Sequence, residues 1–300
     1  MAVRARLVLF AVAALGACNS RPSPPIVAPA PTVAPDHGDP GLAADLAERV
    51  VEAKALLGEG AQTEVVSEVF LVAGAESYGE FADGVSLTRR AIEAYLNGRF
   101  DHRPVRAITV LLFSTEVPYE AFCAEHEGHA CITPYGYFDP EHRRMVMNAG
   151  LGLGTLTHEL VHPMVDADFP QAPTWIDEGI ASLFEAPVIP APGVIHGRKN
   201  WRWPGLRKAL LSKEKSAAGI DRLFGMSDGD FRDEHEGLHY ALARYFCQWL
   251  DEHDRLWPFY RAWRDDQAAD PTGEKTFTAI VGKSPAAAND EFRQWVLALE

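Results

Sequence analysis

Apolar and polar positions alternate in two ways along this chain. Leu42, Leu46, Val50, Val51, Leu56 and Leu57 recur at helical spacing and stop at Gly58, which predicts a helix over 42–57. SEVFLVAG (67–74) reads as a strand, and SLTRRAIEAYLNG (86–98) as a helix with a Ser86 cap and an Asn-Gly stop. VRAITVLLFS (105–114) is β-branched and apolar throughout, as a buried strand is. Ile132–Phe138 and Arg143–Asn148 flank the turn-forming Asp139-Pro140-Glu141-His142 and predict a β-hairpin. After a glycine-rich turn at 150–154, the pattern becomes helical: TWIDEGIASLFE, NWRWPGLRKALL, EGLHYALARYFCQWLDEH and a closing segment near DEFRQWVLAL. The order predicts an α+β fold, with a small N-terminal sheet layer ahead of a mostly helical C-terminal part. No internal repeat is visible.

The first residues follow another pattern. Arg4 and Arg6 precede an apolar run from Leu7 to Ala17, too short to span a bilayer and of the right length for a secretory signal. The run ends Leu15-Gly16-Ala17-Cys18, similar to a bacterial lipobox, in which Cys18 is lipidated after cleavage. Prolines at 22, 24, 25, 29, 31, 35 and 40 then deny a helix or a ladder, so 18–41 reads as an extended tether. The expected organisation is a lipoprotein signal over 1–17, a tether over 18–41 and one domain over 42–300. It places the domain in a bacterial cell envelope, outside the cytoplasm and held to a membrane through Cys18. An ordinary cleaved signal is the alternative.

Charge narrows the partners. The 42 acidic residues against 28 basic ones give a net charge of −14 and argue against nucleic acid as the partner. Cys123 and Cys131 bracket AEHEGHA, which leaves three readings open: a loop-closing disulfide suited to an oxidising compartment, two thiols, or a metal site with His126 and His129. Cys247 sits on an apolar helical pattern and reads as a buried thiol. The glycines at 150–154 lack the spacing of a dinucleotide loop, and Gly282-Lys283-Ser284 lacks the upstream glycine of a P-loop.

The chemistry lies in TLTHELVHPM (155–164), where His158, Glu159 and His162 form H-E-x-x-H. On a helix, positions four apart lie about 40° from each other, so both imidazoles reach one ion, with Glu159 about 100° round from His158. That geometry suits two metal ligands and a general base. Glu178, in TWIDEGIASLFE, offers the third ligand: a carboxylate among Trp175, Ile176, Ile180, Leu183 and Phe184 needs a cation. Gly179 beside it allows two helices to approach closely. Pro163 predicts a kink just beyond His162.

H-E-L-V-H followed by W-I-D-E-G-I-A resembles the gluzincin zinc peptidases, and HELVHPMVDADFPQAPTWIDEGIASLFE is most similar to the bacterial peptidase MA-like proteins. The resemblance spans roughly 105 to 265 and implies a zincin-like fold. It also implies one Zn2+ held by His158, His162 and Glu178, Glu159 as base, and a peptide or protein substrate. The hairpin would supply an edge strand, Arg144, Met145, Val146, Met147 and Asn148, along which a peptide lies. One departure stands out: thermolysin-like enzymes carry an aspartate four residues after the glutamate ligand, and here that position is Ser182, leaving Asp166 or Glu185 to orient a ligand histidine. Tyr240 and His239 are the candidate oxyanion donors, and Arg202 would bind a substrate carboxylate or pair with an acid. The competing expectations are a non-catalytic binding or scaffold lipoprotein, and a zinc amidase acting on cell-wall material.

Overall fold

The computed structural model describes residues 40–75, 77–212 and 215–300. The signal, Cys18 and nearly all of the tether lie outside them. Helix α1 (Pro40–Leu57) leads into strands β1 (Gln62–Val66) and β2 (Phe70–Gly74), helix α2 (Phe81–Leu96), strand β3 (Ile108–Phe113) and short helix α3 (Glu116–Phe122). The hairpin follows as β4 (Gly136–Asp139) and β5 (Arg144–Asn148). The sheet order is β1-β2-β3-β5-β4, with β2, β3 and β5 parallel and the two outer strands antiparallel to their neighbours. The fold is therefore mixed α+β, as the patterning predicts.

Alternation along the central strands sorts side chains to two faces. Leu71, Ala73, Leu111, Phe113 and Val146 pack under α1 and α3 with Ala53, Tyr119 and Phe122. Phe70, Val72, Val110, Leu112, Met145 and Met147 face α2 and the helical part. Strand β1 escapes the sequence reading because only Val66 of its five residues is buried, so QTEVV carries no apolar alternation. Helix α2 starts five residues before Ser86, which lies in its interior, and ends at Asn97 as the Asn-Gly stop predicts. Asp45 ties α1 to the sheet: its carboxylate accepts from Arg143 (2.7 Å), Arg106 (3.1 Å) and the Ala107 amide (2.8 Å).

Helix α4 (Gly154–Glu159) packs against β4 and β5, and α5 (His162–Asp168) follows it beside α6 (Thr174–Leu183). A two-stranded hairpin, β6 (Val188–Ala191) and β7 (Val194–His196), precedes α7 (Trp203–Leu211), α8 (Asp228–Phe231) and the long α9 (Glu236–Glu252). Helices α10 (Leu256–Asp266), α11 (Glu274–Val281) and α12 (Pro285–Ala298) close the chain. Trp175 anchors α6 by stacking on Trp263 and meeting Phe246 edge-on, a burial that contributes about 1.5–3 kcal/mol. Gly179 does bring two helices close, but the partner is α9 rather than the H-E-x-x-H segment. A Cβ at 179 would lie 2.9 Å from Cys247 Sγ and 3.0 Å from Ala243 O. Among the described residues no helix is long and apolar enough to cross a membrane.

Candidate metal centre

The H-E-x-x-H segment is two short helices rather than one. Leu160 and Val161 keep right-handed helical dihedrals, but Val161 N–H donates to His158 O three residues back, a tighter turn. Pro163 is the cause: it has no N–H for Glu159 O, and its ring crowds that carbonyl. The break thus falls between the two histidines, not beyond His162, because proline disturbs the turn that precedes it. The rings still share a face, with centroids 5.1 Å apart. Tyr95 O–H donates to Thr157 O (2.5 Å), and Thr157 Oγ1 donates to Phe184 O (2.7 Å), so α4 is tied both to α2 and to the end of α6.

His158, His162 and Glu178 converge, with one ligand atom from each lying within 4.8 Å of the others. Glu178 Oε2 is buried, 3.4 Å from His158 Nε2, and has no hydrogen-bond partner among the described residues. An unpartnered buried carboxylate oxygen between two imidazoles is costly alone and suits a cation. Two nitrogens and one oxygen form a donor set typical of zinc with a fourth position left open. Burial pushes the Glu178 carboxyl up, but the His158 and His162 imidazoles outweigh it and hold it down at about 2. Burial likewise opposes charge on His162, yet Asp177 outweighs it and raises the imidazole to about 10.

Asp177 is the partner that the sequence reading missed. Both its carboxylate oxygens lie 3.0 Å from His162 Nδ1, which leaves Nε2 turned to the ligand cluster. The orienting carboxylate comes from the residue just before the ligand, not from a turn later. Asp166 lines the cleft but bonds neither histidine, and Glu185 is taken by Arg202 Nε at 3.3 Å. Ser182 is buried, and its Oγ has no partner among the described residues.

Glu159 lies beside the cluster, its Oε2 3.8 Å from His162 Nε2. Burial raises its carboxyl above the usual range against the pull of the nearby imidazoles. Arg232, also unforeseen, reaches Glu178 Oε1 at 3.2 Å and the Tyr240 hydroxyl at 3.4 Å. The first contact occupies Oε1 and leaves Oε2 as the Glu178 oxygen without a hydrogen bond among the described residues. Tyr240 lines the cleft, and burial together with the Glu178 carboxylate raises the pKa of its hydroxyl.

Two expectations need correction, His239 and the edge strand. His239 is buried away from the cleft, its Nδ1 donating to Phe231 O at 3.0 Å. Arg202 lines the cleft and there pairs with an acid, Glu185, while lying over the Tyr240 ring at 4.9 Å. Arg144, Met145, Val146, Met147 and Asn148 form an interior strand, paired on one side with β3 and on the other with β4. They have no open edge. Arg144 is instead paired with Glu127 at 2.6 Å, Met145 and Met147 are core, and Asn148 Nδ2 donates to Pro134 O at 2.9 Å. The outer strand is β4, which lines a cleft of about 480 Å³ together with the ligand cluster, Glu159, Arg232 and Tyr240.

Cys123 and Cys131 form a disulfide, so their thiols hold no metal with His126 and His129. The bridge leads straight into Ile132, Thr133 and Tyr135 on the cleft wall. Cys247 is a buried free cysteine. Fold and site together define a mixed α+β protein with a His-His-Glu cluster able to hold a metal ion. No family model matches the chain, and no curated protein matches it either.

Proposed function

We propose that the chain is a zinc-dependent peptide hydrolase of the gluzincin, peptidase MA-like kind, acting outside the cytoplasm of a bacterium on the surface that its N-terminal lipobox points to. The observation that carries the reading is the convergence of His158, His162 and Glu178 with Glu159 beside them in one cleft. Zinc bound there would supply Lewis acidity and make water acidic enough to lose a proton near neutral pH. Glu159 is placed to take that proton on its carboxylate and pass it to the leaving amine. Its raised pKa, caused by burial, brings it closer to the working pH of such a shuttle. Asp177 keeps His162 Nε2 turned inward, and Arg232 keeps Glu178 Oε1 occupied. Tyr240 supplies a hydroxyl on the same wall for a developing oxyanion. The substrate backbone lies beside β4.

The test is zinc content together with Glu159→Gln. The expected result is about one zinc per chain in both proteins, hydrolysis of a peptide library by the wild type, and none by the variant. A chain without stoichiometric zinc refutes the reading. Equal turnover by both proteins refutes the role of Glu159. Zinc retained with no turnover of peptide or cell-wall material by the wild type means a binding or scaffold protein, and cleavage of cell-wall material alone an amidase.

A further inference from the structure

The outer strand β4 meets the cleft with little of its backbone free. In an antiparallel pair, alternate residues turn their N–H and C=O to the partner and away from it. Asn148 N–H donates to Tyr135 O (2.9 Å), so Tyr135, Tyr137 and Asp139 face β5, while Gly136 and Phe138 face outward. At Gly136 both outward groups are already taken by one side chain. Thr133 Oγ1 donates to Gly136 O (2.8 Å) and accepts from Gly136 N–H (3.1 Å). A paired strand would run about 4.8 Å from β4. The hydroxyl, within hydrogen-bond reach of Gly136, stands in that gap. Phe138 is the next outward residue, and beyond Asp139 the chain turns away from the strand.

We infer that Thr133 closes the outer edge of β4 at Gly136, so that a substrate pairs with one residue, Phe138, and its chain ends or bends away there. The inference rests on the hydrolase reading and gives it a substrate class: short peptides and chain ends rather than long extended segments. Affinity then comes from side chains around the scissile bond, with Ile132 and Tyr135 as exposed apolar groups on this wall.

The hydroxyl also accepts from Tyr135 N–H (3.2 Å), but the loop that carries Thr133 has three ties that do not use it. Tyr119 O–H donates to Thr133 O (2.6 Å), Asn148 Nδ2 holds Pro134 O, and the Cys123–Cys131 bridge fixes the approach. Thr133→Ala therefore opens the edge and leaves the loop in place, while Thr133→Ser keeps the cap.

The experiment uses the full-length, zinc-loaded chain with a peptide digest of denatured casein, cleavage positions being read by mass spectrometry. Amide hydrogen exchange at Gly136 is followed in parallel. The wild type and Thr133→Ser are expected to cut near chain ends and to show a protected Gly136 amide. Thr133→Ala is expected to raise the share of internal cuts several-fold and to speed exchange at Gly136 but not at Tyr137. Equal shares of internal cuts in wild type and Thr133→Ala overturn the inference, and so does a freely exchanging Gly136 amide in the wild type. A protected amide with no cleavage by any of the three proteins overturns the hydrolase reading, and the substrate limit falls with it.

Discussion

Asp177→Asn keeps the size of the side chain and removes its charge; Asp177→Ala removes the partner altogether. In the wild type both Asp177 oxygens stand 3.0 Å from His162 Nδ1, with the imidazole largely buried and the carboxylate about a quarter exposed (27%). Loss of the group that orients a ligand histidine costs about 10–100-fold in metal affinity, and each tenfold is about 1.4 kcal/mol. Water reaches Asp177 and screens part of its charge, so asparagine, which still accepts from Nδ1–H, belongs at about tenfold. Alanine, which frees the ring to turn, belongs nearer about a hundredfold. The assay is competition for zinc against a chelating indicator, starting from metal-free protein, with thermal melts to confirm folding. Asp166→Asn is the control: the residue lines the same cleft but bonds neither histidine. If both Asp177 variants hold zinc within about twofold of the wild type, His162 does not depend on Asp177 and the reasoning fails.

Asp45 gives a pH test of the sheet layer. The Arg143 hydrogen bond, aided by Arg106 and the Ala107 amide, holds its carboxyl well below the usual range against the cost of burial. A depressed folded-state pKa stabilises above the unfolded value, about 3.9, and that stabilisation fades as pH falls below it. Asp45→Asn should therefore cost about 1.5–3 kcal/mol at neutral pH, and the gap in Tm to the wild type should shrink as the buffer is taken below that value; a constant gap would contradict the assignment. Gly179→Ala should destabilise the chain by about 1–3 kcal/mol, since its methyl meets Cys247 Sγ and the Ala243 carbonyl. Adding Cys247→Ala should recover only part of the loss in chemical denaturation, because the backbone contact remains; full recovery would place the whole clash on the sulfur.

Much of the site was legible in the sequence because its chemistry is local. His158, Glu159 and His162 sit within one turn and a half, and Glu178 announces itself as a carboxylate in an apolar helix. Asp177 was not legible, although adjacent, since an acidic residue in the first turn of a helix is ordinary on its own. What singles it out is its distance from His162, which depends on how α5 meets α6. Arg232 is hidden for the same reason, being remote in sequence from every group it touches. The hairpin was readable, but its orientation was not: β5 pairs in parallel with β3, and that pairing turns β4 into the outer strand. Position 163 shows a smaller failure. The proline was read correctly as a breaker, but its effect falls one turn upstream, where its missing N–H and ring act.

That break gives the site a mechanical meaning. His158 rides on α4, which packs against β4 and β5 as well as α6, whereas His162 rides on α5, which packs against α6 and α4. Glu178 belongs to α6 itself. An ion gripped by all three would tighten the join between the sheet-backed α4 and the helices α5 and α6, at a place where the chain between the two histidines has a weakened ladder. Binding energy released there is spent on closing the seam, so a chelator would act first as a solvent of that joint and only then on either layer.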